Sequence, residues 1–196
     1  MYKPAIRFHD LKLLMTGILR RFPRISAILQ VYAVIAVPIF GWTITSWLWK
    51  LPSWLNFLTP GEIAAIFFYA ILTALVESVL ICILLLMLCF LLPSGAFRDQ
   101  FVVRGTWLAV GLALSILGNG VWRGMTRFTY AEVSLTVWSI LSLIIIILLT
   151  FLSTKVRLMT LVADWVSDRL IIFLYLLIPL SIVSILVVVV RNTFLG

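Results

Sequence analysis

A chain of 196 residues that is 64% hydrophobic and only 11% charged is far from a water-soluble domain, where roughly a quarter of residues carry charge. With a mean hydropathy of +1.22, it reads as an all-α integral membrane protein, since a backbone in lipid must satisfy its own hydrogen bonds. The net charge of +8 lies in short segments between apolar runs. It therefore suits anionic headgroups and excludes nucleic acid, which would need a basic solvated domain.

The expected plan is a cytoplasmic amphipathic arm over residues 1–25, then a bundle of five transmembrane helices over 26–196. In the arm, Phe8, Leu11, Met15, Ile18 and Phe22 recur at three- and four-residue steps opposite Lys12, Thr16 and Arg20. That spacing predicts a helix lying in the membrane interface and stopping at Pro23. His9, the single histidine, sits on this arm and cannot form a zinc site alone. No short apolar region ending in a small-residue cleavage site is evident, so the first span is expected to act as an uncleaved insertion signal.

A hydrocarbon core of about 30 Å takes about 20 apolar residues to cross. The five spans are expected at about 26–49, 63–92, 106–122, 132–153 and 170–190. The third is the shortest and would rely on flanking arginines that snorkel. Within the first and fifth, Pro38 and Pro179 predict helix kinks that free the carbonyls of Val34 and Tyr175. Ser181 and Ser184 stand close enough to satisfy polar backbone there.

The sequence Thr59-Pro60-Gly61-Glu62 predicts a helix start, with threonine as cap, proline first and glutamate closing a capping box. Trp42, Trp47, Trp49 and Trp54 cluster near the first outer loop, and Trp107 and Trp122 flank the third span, as interfacial belts do. Cys82 and Cys89 lie seven residues apart in the second span, too far for a disulfide and without metal spacing, and are expected to pack. The connector Lys155–Arg169 carries a narrow polar stripe of Arg157, Thr160, Asp164 and Asp168. It is expected to rest on the membrane surface or to dock on a partner.

Orientation follows from the basic residues. With the N-terminus cytoplasmic, eleven of them fall inside (Lys3, Arg7, Lys12, Arg20, Arg21, Arg24, Arg98, Arg104, Lys155, Arg157 and Arg169). Only Lys50, Arg123, Arg127 and Arg191 then fall outside. The bias predicts a cytoplasmic N-terminus and a C-terminus on the opposite side.

Few polar residues lie within the spans. Glu77 stands mid-span in Ala74-Leu75-Val76-Glu77-Ser78-Val79, too deep for a short carboxylate to reach water. It must be protonated, partnered or turned to a polar cavity. Asn119 falls at a similar depth in the third span, and Gly111, Ser115 and Asn119 recur every four residues, a small-then-polar face suited to close helix approach. A Glu77–Asn119 hydrogen bond is the specific expectation, with Arg123 the alternative partner.

No phosphate loop, zinc-protease motif or nucleophile elbow occurs, so no enzyme is expected. Neither a metal nor a cofactor is expected: no transmembrane histidine could ligate haem iron, and no lysine within a span could form a retinal Schiff base. Two readings remain. The first is a non-catalytic membrane subunit or scaffold that anchors or stabilises a larger complex, its partners being lipid and other membrane subunits or a second copy. The second is a small transporter, channel or lipid-handling protein built on a polar site near Glu77 and Asn119. The five-span layout is similar to Yip-family membrane domains, and to the membrane anchors that precede extracellular sulfatase-like phosphotransferase domains. The likeness is one of layout and transfers no residue role.

Overall fold

The computed structural model describes residues 23–91, 100–125 and 131–194, with backbone alone over 121–125 and 131–135. The expected amphipathic arm, His9 included, lies outside these residues. Five helices follow in order: α1 Ile25–Trp54, α2 Pro60–Leu91, α3 Phe101–Met125, α4 Ala131–Leu152 and α5 Arg157–Phe194. There is no strand among the described residues. Four helices (α1, α2, α3 and α5) are long and apolar enough to cross a membrane, and the apolar stretch of α4 found by the same measure, Thr136–Leu152, is shorter.

Local chemistry sets several boundaries. Arg24 is extended and α1 begins at Ile25, as a chain leaving Pro23 should. The start of α2 is the expected capping box. The Thr59 backbone N–H and hydroxyl both donate to Glu62 Oε2 at 2.8 Å, and the Glu62 N–H donates to Thr59 Oγ1 at 3.4 Å. Pro60 then takes the first helical position, where its missing N–H costs nothing.

Two boundaries differ from expectation. The third helix starts earlier than expected: α3 begins at Phe101 and has 25 residues, about 37 Å at 1.5 Å per residue, though its span remains the shortest of the four. Its first turns are helical because they are covered, with Phe101, Val103 and Thr106 all buried. The separate surface connector over Lys155–Arg169 is also absent. From Arg157 onward it forms the first turns of α5, one helix of 38 residues. The reason lies in the buried seam of α5: Ala163, Ser167, Leu174, Leu177, Ser181, Ser184 and Val188, with half-buried Leu170 between. Steps of four and three run from Ala163 past Leu170, where the span is expected to begin, without a break, the spacing of a left-handed helix seam. Tertiary packing thus holds the connector in helix.

α1 is the central helix, packing against α2, α3 and α5. One core cluster joins its Val31, Val34 and Ile35 to Cys82, Leu85 and Cys89 of α2 and to Phe101 and Ala109 of α3. A second joins Ala33, Ala36 and Phe40 of α1 to Ile71 and Ala74 of α2 and to Leu174 and Leu177 of α5. The cysteines are core residues, as expected, and form no disulfide.

Hydrogen bonds fix the relative directions. Gln30 Nε2 donates to Asp168 Oδ1 at 2.7 Å and Trp107 Nε1 to the Met159 carbonyl at 3.1 Å, so α1, α3 and α5 begin at one end, here called proximal. Tyr69 Oη donates to Asn192 Oδ1, which sets the start of α2 beside the end of α5. Trp138 Nε1 donates to the Ser115 carbonyl, which with the Arg104–Thr154 contact runs α4 antiparallel to α3. Helices consecutive in the chain therefore alternate in direction, while α1, α3 and α5 pack side by side in parallel. The outward surface is largely apolar: Leu84 is 64% exposed, Leu148 63% and Leu176 67%. A sheath of this kind requires a hydrocarbon solvent.

Candidate intramembrane polar site

Glu77 lies about 26 Å from the start of α2 and about 21 Å from its end, so it is near the middle of the helix. It is not in the core. Its side chain is exposed, on a surface shared with Val76, Val79 and Leu80. The residue turned inward is its neighbour Ser78, which is fully buried. The Ser78 hydroxyl lies 3.3 Å from Tyr32 Oη of α1 and donates to the Leu75 carbonyl at 2.9 Å. A heptad-like seam on α2 explains the inversion. Ile71, Ala74, Ser78, Cys82, Leu85 and Cys89 are its buried residues, and Glu77 falls one residue out of register.

The expected Glu77–Asn119 hydrogen bond does not form among the described residues. α2 and α3 share no extended packing, because α1 lies between them. Among those residues Glu77 has neither a hydrogen bond nor an ion pair. Asn119 is half-buried, and the side chain of Arg123 lies outside the described set. The polar surface of α2 continues at four-residue spacing through Thr73, which donates to the Tyr69 carbonyl at 3.0 Å, to Tyr69 itself. Tyr69, Thr73 and Glu77 thus form a polar ridge on a face that is otherwise apolar.

The small face of α3 has a different partner. A Cβ at Gly111 would stand 2.9 Å from Ile146 Cγ1, and one at Gly118 would stand 2.9 Å from the Trp138 ring. Together with the Trp138–Ser115 hydrogen bond, these contacts seat α4 against α3, the only helix with which α4 shares extended packing among the described residues. Gly111→Leu is therefore expected to loosen α4, at a cost of about 1–3 kcal/mol for overpacking. Gly41→Leu, at a glycine with nothing within 4 Å, should leave the thermal unfolding midpoint nearly unchanged. Equal shifts in the two variants would refute the close approach.

Pro38 and Pro179 both lie inside unbroken helices. Pro38 is half-buried and Pro179 is exposed, so the latter faces away from the bundle. Ser181 and Ser184 donate to the carbonyls of Leu177 and Leu180 at 2.7 and 2.8 Å, and neither reaches the Tyr175 carbonyl that Pro179 leaves without its usual donor. In the sequence Arg104 is one of many cations flanking the spans, and nothing in its spacing marks it. Its guanidinium is partly buried at the proximal end of α3, beside Thr154 and Phe151. No group of three or more metal-ligating side chains occurs among the described residues.

Compared with known proteins, the chain matches no family model, no curated protein and no solved structure at a significant level.

Proposed function

We propose that this chain is a non-catalytic subunit of a membrane assembly, held to a partner helix through the polar ridge of α2. Glu77 carries the reading. A carboxyl group at mid-membrane depth costs about 2.5–3.5 kcal/mol at a helix centre when it faces lipid alone. Its outward placement beside Thr73 and Tyr69 supports a polar or basic side chain on a second transmembrane helix as its complement. That helix belongs to another subunit or to a second copy of this chain. A conduit through the single chain is less well supported, because Glu77 and Asn119 are on opposite sides of α1.

The same proposal includes five crossings. α4 has 22 residues, about 33 Å, and runs antiparallel to α3 along the bundle. The proximal end is then cytoplasmic, with eleven of fifteen basic residues on that side.

The test is extraction of the chain from its native membrane in a mild detergent, with intact mass measured. Stoichiometric partner subunits or a defined homo-oligomer are expected. A chain that stays monomeric at every detergent concentration tried would end the subunit reading.

A further inference from the structure

On the side of α4 turned away from the bundle, Ile144, Ile147, Leu148, Phe151 and Leu152 line an open groove of about 490 Å³ that ends at Lys155. Phe151 also borders α3, where the Arg104 guanidinium carbon lies 5.9 Å from its ring centroid. Arg104 is poorly satisfied there. Its Nη2 reaches Thr154 Oγ1 only at 3.5 Å, and its Nε and Nη1 are buried without a hydrogen-bond partner. Buried N–H donors on a cation are costly unless an acceptor completes them.

We infer that this groove holds an acyl chain of an anionic phospholipid, and that Arg104 and Lys155 receive its phosphate. From Ile144 to Leu152 the groove follows about 12 Å of helix, most of one leaflet's half of a hydrocarbon core of about 30 Å, and the turn beyond it carries Lys155. Lys155 lines its proximal end, and Arg104 stands behind Phe151 and Thr154 at that same end. A guanidinium fork matches phosphate oxygens in pairs, and a lysine adds a mobile point charge.

Charge argues against the other occupants. Residues 1–22 carry Lys3, Arg7, Lys12, Arg20 and Arg21 against Asp10 alone, so the arm would be repelled by this end of the groove. A second copy seated here about a twofold axis would set Lys155 and Arg104 against their own counterparts.

The experiment is native mass spectrometry of the full chain in mild detergent, offered phosphatidylglycerol or phosphatidylcholine. Phosphatidylglycerol should be retained in preference. Lys155→Gln should weaken that retention about fivefold, the effect of one basic residue near a charged lipid surface, and adding Arg104→Gln should weaken it further. Leu148→Trp, from an exposed position, should fill the groove and expel the lipid with both charges intact. Lys155 and Leu148 are exposed, so these two variants keep the test open if Arg104→Gln fails to fold. Equal retention of the two lipids would overturn the inference, as would unchanged phosphatidylglycerol binding in both single variants. Inorganic phosphate competing as well as the lipid would reduce the site to an anion site. A dimer that Leu148→Trp converts to monomer would assign the groove to a second copy.

Discussion

Replacing Glu77 with leucine is expected to dissociate the proposed assembly while leaving the isolated chain at least as stable. The two effects separate because the side chain is exposed on α2 and has no hydrogen bond or ion pair among the described residues. Within one chain, leucine removes a lipid-facing carboxyl group and its cost of about 2.5–3.5 kcal/mol. Within an assembly, it leaves the partner's complementary group unpaired in hydrocarbon, a loss of about 2–5 kcal/mol for a desolvated hydrogen-bonded charge pair. Co-purification of wild type, Glu77→Gln and Glu77→Leu measures the difference. Glutamine keeps a hydrogen bond and should retain part of the assembly. If the leucine variant assembles as fully as wild type, Glu77 is not the contact.

Phe40→Ala is expected to be the most destabilising single truncation in the bundle. Phe40 is 1% exposed and belongs to one cluster with Ala33, Ala36, Ile71, Ala74, Leu174 and Leu177, where α1, α2 and α5 join. In a water-soluble core such a truncation costs about 3–5 kcal/mol. In a membrane the unfolded reference is also in lipid, so the transfer component falls away and the packing and cavity component remains, about 2–3 kcal/mol. Leu176→Ala supplies the contrast, since Leu176 is 67% exposed on α5 and lipid can replace what is removed. Its effect should stay within about 0.5 kcal/mol. Unfolding in detergent or bicelles reads both. A comparable loss in the two variants would mean that α1 is not the packed centre.

That contrast also marks where the sequence stops being legible. Hydropathy located the apolar helices because hydrocarbon requires apolar side chains on every lipid-facing turn. It could not say which face is inside, since lipid and protein core accept the same residues. On α2 the inward signal is small size at heptad-like spacing, Ala74, Ser78, Cys82 and Cys89, and hydropathy alone does not weigh size. Glu77 looked central because it is the charged residue of its span. One residue of register, a rotation of about 100°, separates it from the buried Ser78.

By itself, then, the sequence determined a helical membrane protein, the approximate extent of its apolar helices, the capped start of α2 and the packing role of both cysteines. These are local consequences of composition, spacing and capping chemistry. The tertiary structure alone decided that α1 sits between α2 and α3, which parts Glu77 from Asn119, and that the small face of α3 receives α4. It also decided that Lys155–Arg169 continues into α5 from Arg157 onward and that Arg104 stands with unsatisfied donors against Phe151, which lines an apolar groove. Each depends on which helices are neighbours. In hydrocarbon that choice rests on the fit of side-chain shapes between helices distant in the chain, which no single segment encodes.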